Sequence, residues 1–334
     1  MNSSELGYAI TAIAAGIDSF ETQTSRGQGI LGDEGLVPLY LGKDLVESRV
    51  YSSWSQVEAD LVRVEDGIGG LEDSPRRDFL SSLLSSMKMA IGLFQGKDFS
   101  YEEKLTRLVG VPAQPISQAF LSSLEARLKD GLSRAGFGKG SLRERITAWE
   151  EKGFLPASEL PGLYRELMLE AKSRTDRRIV PTGDFVMDLN PVRGGHYTAR
   201  CNFSQAKMDL NMDNRFTRAS MKHLVTHEIF PGHSTQNLYT VASYKRGTST
   251  ADVLLCSLNG VTGVLQEGIG DQGLELIDWV EDLDDEINAV LVRYRSAVAT
   301  QSAWMMNVEG IDDDRIRAYL RDVGVMQEAR IEGR

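Results

Sequence analysis

Apolar positions in the first half of the chain recur at spacings of three and four residues, which is the period of an amphipathic helix. The clearest stripe lies in residues 78–94 and includes Leu80, Leu84 and Met87. Similar stripes predict helices at residues 45–64, 116–132 and 160–171. Segments rich in Gly and Pro separate them, at residues 27–38, 67–75, 110–115 and 136–140. The simplest interpretation of these stripes is the core of a helix bundle.

The pattern changes near Ile179, where short alternating runs replace the helical stripes. These runs predict three strands, at residues 185–189, 197–201 and 207–211. Helical patterning resumes at Arg218 and includes a long segment, 279–306. We therefore expect a mainly α fold with a small antiparallel β-sheet. The expected organisation is a helical N-terminal region, 1–178, and a second region, 179–334, within one continuous compact unit.

The long helical segment begins with a dense run of acids. Five of the six residues from 281 to 286 are acidic: Glu281, Asp282, Asp284, Asp285 and Glu286. Such a run most simply forms a solvated helix face, which is the interpretation we favour over a cation site.

Composition narrows the class of protein. The chain has 334 residues, 41% apolar and 25% charged, with a formal net charge of −11. This balance is ordinary for a globular protein. It disfavours a nucleic-acid partner, because phosphate backbones are bound by clustered Lys and Arg. No run approaches the ~18 apolar residues of a membrane span, and residues 1–20 lack the basic start and apolar run of a secretory signal.

These absences lead us to expect a cytoplasmic protein with no membrane partner. The two cysteines, Cys201 and Cys256, are not in a Cys-x-x-Cys pair. We expect them to be free thiols in a reducing compartment rather than a disulfide.

The candidate chemistry lies in the histidines. The chain has four, and three of them, His223, His227 and His233, fall within eleven residues. Glu228 directly follows His227. Histidine is the commonest metal ligand among side chains, and a catalytic zinc takes three protein ligands and keeps a fourth position for water. A carboxylate beside that water can accept its proton.

The spacing departs from the regular zinc helix. In His-Glu-x-x-His the two histidines lie one turn apart on one face, whereas His227 and His233 are six residues apart. Six residues turn through roughly 600°, which leaves the two side chains ~120° out of alignment on a regular helix. Pro231 and Gly232 can interrupt the helix, and a distorted turn there would return His233 to the face of His227.

A second pairing needs no distortion. His223 and His227 are four residues apart and share a helix face. In this alternative His233 is not a ligand. Spacing alone leaves both pairs open.

The segment His-Glu-x-x-Pro-Gly-His, residues 227–233, resembles the signature of the bacterial DUF885 family, which is regarded as zinc metallopeptidase-like. The resemblance covers the second half of the chain, from about Gly194. It implies that His227 and His233 bind the metal and that Glu228 is the base. In the family a Glu-Gly-Trp-Ala segment follows, and Glu267 matches its glutamate, which implies a third ligand. Ile269 stands where the family has Trp, and this departure affects the substrate pocket more than the metal site.

Residues around the motif suggest further roles. Asp271 lies four residues after Glu267 and could orient a histidine ligand. An oxyanion needs a donor besides the metal; among His196, Tyr197, Arg200, Arg293, Tyr294 and Arg295 we favour Tyr197 and Arg295 as catalytic residues. Asn211 is a weaker candidate for contacting the substrate backbone. Residues 207–212 are the candidate edge strand for an extended peptide.

Together these features predict a helical metallopeptidase-like fold whose small sheet lies beside the metal-binding helix. The expected activity is hydrolysis of a peptide or small amide by water activated at one Zn²⁺ ion. Cobalt, manganese or iron could occupy the same ligands. Two alternatives remain: a metal-dependent biosynthetic enzyme that uses these ligands for a non-hydrolytic step, and a non-catalytic metal-binding protein.

Overall fold

A computed structural model describes residues 1–26, 29–30, 35–37, 39–72, 74–195, 197–256 and 260–332. The fold is 63% helical and carries a small three-stranded sheet. This confirms the predicted mainly α fold class. Among the described residues, no helix is both long and apolar enough to cross a bilayer.

The chain divides into two units, each discontinuous in sequence. The first comprises residues 1–113 and 235–268, and the second comprises residues 114–234 and 269–334. Two helices, α9 (His233–Lys245) and α10 (Val261–Asp271), contribute residues to both. The division differs from the expected boundary after residue 178. The change of pattern near Ile179 marks the end of a helix, because the hydrophobic stripe stops there while the second unit continues.

The first unit is built mainly from helices. Besides most of α9 and α10, it contains α1 (Ser3–Ser25), β1 (Leu39–Tyr40), α2 (Trp54–Gly69), α3 (Pro75–Phe94), α4 (Tyr101–Glu103), a π-helical turn (Lys104–Val109), a 3-10 turn (Ala251–Leu254) and β5 (Leu255–Cys256). Apolar stripes of α1, α2 and α3 form its core, with Leu6, Val57 and Leu80 fully buried. A partly buried ion pair joins the 3-10 turn at residues 251–254 to α3, with Arg76 donating to both carboxylate oxygens of Asp252 at 2.7 Å.

The second unit holds the motif, which is residues 227–233. Its elements are α5 (Gln118–Arg134), α6 (Leu142–Gly153), α7 (Leu160–Arg178), β2 (Asp188–Val192), β3 (Ala199–Asn202), β4 (Lys207–Asn211), α8 (Arg218–Glu228), α11 (Gly273–Leu276), α12 (Leu283–Asn307), α13 (Asp313–Val323) and α14 (Glu328–Glu332). The motif begins in α8, which we call the motif helix. One core cluster joins α5, α6, α12 and α13. A second joins α7, the sheet and α8, with Met208, Met221 and Val225 fully buried. The expected position of the sheet beside the motif helix is therefore confirmed.

The sheet is mixed rather than wholly antiparallel. Its strand order is β2-β4-β3, with β2 parallel and β3 antiparallel to β4. A tight turn that includes Ala206 at φ 50° folds β4 back onto β3, which leaves the other side of β4 for β2. The prediction that residues 207–212 form an edge strand is therefore wrong, because β4 is the central strand.

Most of the predicted helices are found, with shifted ends. The helix predicted at 45–64 begins instead at Trp54, because the Ser53 hydroxyl caps it by accepting from the Gln56 amide. The strand predicted at 185–189 is displaced to Asp188–Val192. The predicted break at 27–38 lies largely outside the described residues.

The acidic run at the start of α12 is not simply a solvated face. Asp282 caps the helix, and Asp284 accepts a hydrogen bond from the Trp149 indole at 2.7 Å. Asp285 is buried and pairs with Lys222 of α8, which is 3% exposed. The run therefore anchors the motif helix, because a buried lysine needs a carboxylate partner.

Candidate metal centre

The motif begins in α8 and ends in α9, with a break between them. Thr217 caps α8 in a capping box with Ser220, and the helix ends at Glu228. Ile229 leaves the helical region with φ −121° and ψ −80°. The amide of Gly232 donates to the Thr226 carbonyl at 3.0 Å, which folds residues 229–232 tightly against the end of α8. The predicted interruption of the helix is confirmed.

Gly232 is required by this turn. A Cβ atom at Gly232 would lie 1.7 Å from the His227 carbonyl oxygen and 2.6 Å from the Thr226 carbonyl oxygen. Both neighbours are backbone atoms at the end of α8, so they cannot move aside without distorting the helix. The glycine therefore allows the chain to approach α8 closely enough to restart as α9 at His233.

The break brings His233 to His227, beside which His223 already lies on α8. The rings of His227 and His233 have centroids 4.8 Å apart and are nearly perpendicular. The ring of His223 lies one turn back on α8, with its centroid 5.9 Å from that of His227. Both alternative pairings from the sequence therefore occur, with His227 common to the two.

Asp271 of α10 contacts the central histidine. Its Oδ1 lies 3.1 Å from Nδ1 of His227. The close approach depends on Gly270, where a Cβ atom would lie 2.9 Å from that same Nδ1. The sequence suggested that Asp271 could orient a histidine ligand, and the geometry fits that role.

Glu228 and its surroundings are shielded from solvent. The Glu228 residue is only 7% exposed, and its carbonyl accepts a hydrogen bond from the Ser234 hydroxyl at 3.2 Å. Ser234 is fully buried and also lies 3.4 Å from the Cys201 thiol of β3. These contacts tie the beginning of α9 to the end of α8 and to the sheet.

The local environment keeps His223 neutral. Burial and, to a smaller extent, the neighbouring His227 lower the pKa of His223 from 6.5 to about 4, against the opposing effect of Asp271. At neutral pH the imidazole therefore carries a free lone pair. A metal requires that neutral form of histidine.

Glu267 and Gln236 lie on the two helices that follow the motif. Glu267 is one turn before Asp271 on α10, on the same helix face. Gln236 is three residues after His233 on α9, and its Nε2 donates to the Gln266 carbonyl at 3.1 Å. The spacing of three residues places Gln236 on the same face of α9 as His233. Its buried Oε1 has no hydrogen-bond partner among the described residues.

Tyr197 and Asn211, which the sequence also suggested as functional residues, contact residues other than the motif histidines. The Tyr197 ring lies 4.8 Å from the Arg200 guanidinium, and the Asn211 side chain donates to the carbonyls of Gly195 and Tyr197. Asn211 therefore holds the turn before β3. None of these contacts involves a histidine.

Arg295 lies within the packing of the helices. Its Nη2 pairs with Glu150 of α6 at 3.0 Å, and its Nε donates to the Val325 carbonyl at 2.9 Å. These bonds join α6, α12 and the segment after α13. They give the guanidinium a structural role. His196 lies outside the described residues, and Cys201 forms no disulfide within the part of the chain that the structure describes.

Comparison with known proteins gives a likeness of fold. No family model matches the chain, and no curated protein matches it. A solved structure from Colwellia psychrerythraea, described as a "putative lipoprotein", aligns over 88% of this chain with a TM-score of 0.58 and 12% identity. One from Shewanella oneidensis, with the same description and of unknown function, aligns over 84% with a TM-score of 0.50 and 14% identity. The chain spans 54% and 60% of those two proteins, respectively, and shares their fold over that part.

Proposed function

We propose that this protein is a zinc-dependent hydrolase that cleaves a peptide or another amide. The observation that carries the proposal is the broken helix, which sets the rings of His227 and His233 4.8 Å apart with Glu228 buried beside the first. A turn with only a structural role would not require two histidine rings this close together.

The donor set fits zinc. His227 and His233 supply two nitrogens, and we propose Glu267 as the third ligand. Two contacts support this assignment. Glu267 lies one turn from Asp271, and Asp271 contacts His227. Glu267 also follows Gln266, whose carbonyl accepts a hydrogen bond from Gln236 of α9, the helix that begins at His233. Two histidines and a glutamate form a common catalytic zinc set. Zinc bound there would lower the pKa of a bound water and polarise the scissile carbonyl.

Glu228 and Asp271 have the other proposed roles in the reaction. Glu228 accepts the proton of the attacking water and passes it to the leaving amine. Asp271 accepts a hydrogen bond from Nδ1 of His227, which fixes the ring and leaves Nε2 as the ligand atom. Arg295 is not part of this proposal, because its guanidinium bonds to Glu150 and Val325.

The sheet favours an extended substrate. Within the described sheet β3 is an edge strand, and the contact between Cys201 and Ser234 sets it next to the beginning of α9. β3 pairs with β4 along one side, and an extended peptide could add along its other side.

The first test is metal content. Protein expressed with supplementary zinc should retain about one equivalent or more by elemental analysis, and less than about a tenth of an equivalent of any transition metal would overturn the proposal. Glu228→Gln should keep the metal and lower hydrolysis of a peptide and amide library by about 10²–10⁴-fold. Glu166→Gln, which changes an exposed glutamate, should affect neither. A zinc-loaded protein that cleaves no member of the library would favour a non-hydrolytic enzyme.

A further inference from the structure

The motif helix carries a second group of metal-ligand atoms. His223, His227 and Asp271 each offer one ligand atom, and these atoms all lie within 4.8 Å of one another. Two imidazole nitrogens and one carboxylate oxygen suit zinc, cobalt, nickel or copper. From this cluster we propose a second site for a divalent transition-metal ion, distinct from the site at His233. This proposal rests on the proposed function only in that both sites use His227 as a ligand.

The second site does not depend on the break in the helix. His223 and His227 lie one regular turn apart on α8, so they face the same side without distortion. His233 follows the break and belongs to α9. The two clusters are therefore built from different local structures, and a change in one histidine can remove one cluster and leave the other.

The shared imidazole has an atom for each site. Nδ1 of His227 lies 3.1 Å from Asp271, and the other nitrogen, Nε2, remains for the site with His233. An ion held by Nδ1 and Oδ1 would displace the proton between them to solvent, and His227 would then be a ligand in both sites.

The carboxylate of the second site, that of Asp271, is exposed to solvent. The Asp271 side chain is 48% exposed, while that of His227 is 15% exposed. Zn–N and Zn–O bonds of about 2.0–2.2 Å need donors about 3.3–3.6 Å apart around a tetrahedron. The observed separations of up to 4.8 Å therefore require movements of about 1 Å, which a half-exposed aspartate can make. Water would complete the coordination.

The alternative role of Asp271 makes a different prediction. If Asp271 only orients His227, its loss weakens binding of the ion at His233 and changes no stoichiometry. If it is a ligand of the second ion, its loss removes one equivalent of metal. Stoichiometry therefore separates the two roles.

The experiment is a titration of metal-free full-length chain with cobalt(II), followed by visible absorption and by elemental analysis after gel filtration. Wild type should bind two equivalents, and His223→Asn and His233→Asn should each bind one with different spectra. The double variant should bind none. Asp278→Asn, which alters an exposed aspartate, should bind two. Thermal unfolding verifies that each variant folds; should His223→Asn not fold, Asp271→Ala replaces it.

The outcomes distinguish the two proposals. One equivalent in wild type, unchanged by His223→Asn and lost in His233→Asn, would overturn the second site and leave the proposed function standing. One equivalent lost in His223→Asn and kept in His233→Asn would support the site at His223 and overturn the hydrolase centre. Two equivalents in wild type and in both single variants would overturn the assignment of these ligands.

Discussion

Nδ1 of His227 lies 3.1 Å from Oδ1 of Asp271, although the two residues are 44 positions apart. The contact is possible because Gly270, the residue before Asp271, has no side chain to meet the imidazole. One glycine therefore controls how closely Asp271 approaches His227.

Gly270→Ala should weaken metal binding. The new Cβ would lie 2.9 Å from Nδ1 of His227, so the ring must move. Loss of an orienting partner typically lowers metal affinity by about 10–100-fold, which a competition titration with a chelator would measure. The matched control is Gly268→Ala on the same helix. A Cβ atom there would have no described atom within 4 Å. An equal loss of affinity in both variants would contradict this account.

Gly232→Ala should destroy the turn between α8 and α9. Its Cβ would lie 1.7 Å from a backbone carbonyl oxygen. We expect a loss of unfolding free energy above about 4 kcal/mol, or no folded protein, together with loss of metal. Gly162→Ala in α7, where a Cβ would have no neighbour within 4 Å in the described part of the chain, should be neutral or stabilising by up to about 1 kcal/mol. Urea unfolding of the two variants measures the contrast, and a fully stable Gly232→Ala would refute the argument.

Lys222→Met should destabilise the motif helix. It leaves Asp285 as a buried carboxylate without its cation, which costs about 3–5 kcal/mol. The double variant Lys222→Met with Asp285→Leu removes both charges and should recover much of that loss. Glu281, which lies 3.1 Å from the lysine and is half-exposed, contributes less. Chemical unfolding of both variants tests the coupling; simple additivity would show that the pair does not interact.

The ion pair between Arg76 and Asp252 should make the first unit sensitive to acid. Hydrogen bonds from Arg76 and Thr250 outweigh burial and hold the pKa of Asp252 below its usual 3.8. A depressed pKa stabilises the fold above the unfolded value, and this contribution is lost as the pH falls through 3.8 toward the folded pKa. Asp252→Asn should therefore destabilise the protein at pH 7 and matter less near pH 3.

The control for this prediction is a more exposed pair of the same unit. Glu65→Gln breaks the pair with Lys88 and should cost under about 1 kcal/mol at either pH. The measurement is urea unfolding at both values. An effect of Asp252→Asn that does not change between pH 7 and pH 3 would contradict the assignment.

The sequence by itself predicted the helices, the small sheet and the need for a break at Pro231 and Gly232. These depend on local periodicity and local steric limits, which neighbouring residues carry. It also predicted that His227, Glu228 and Asp271 belong together as candidates. It misplaced the strand at residues 207–211 at an edge, because alternation predicts a strand without its neighbours.

Tertiary structure decided what depends on distant partners. The convergence of His233 on His227 follows from the fold of residues 229–232, whereas His223 lies one regular helical turn from His227 on α8. The burial of Asp285 by Lys222, 63 residues earlier, could not be read from a run of acids, since burial depends on what packs against a face. Arg295 likewise resembled a free catalytic cation in sequence, and packing gave it Glu150. Local order is fixed by near neighbours, whereas the partner of a charged side chain is chosen by the whole fold.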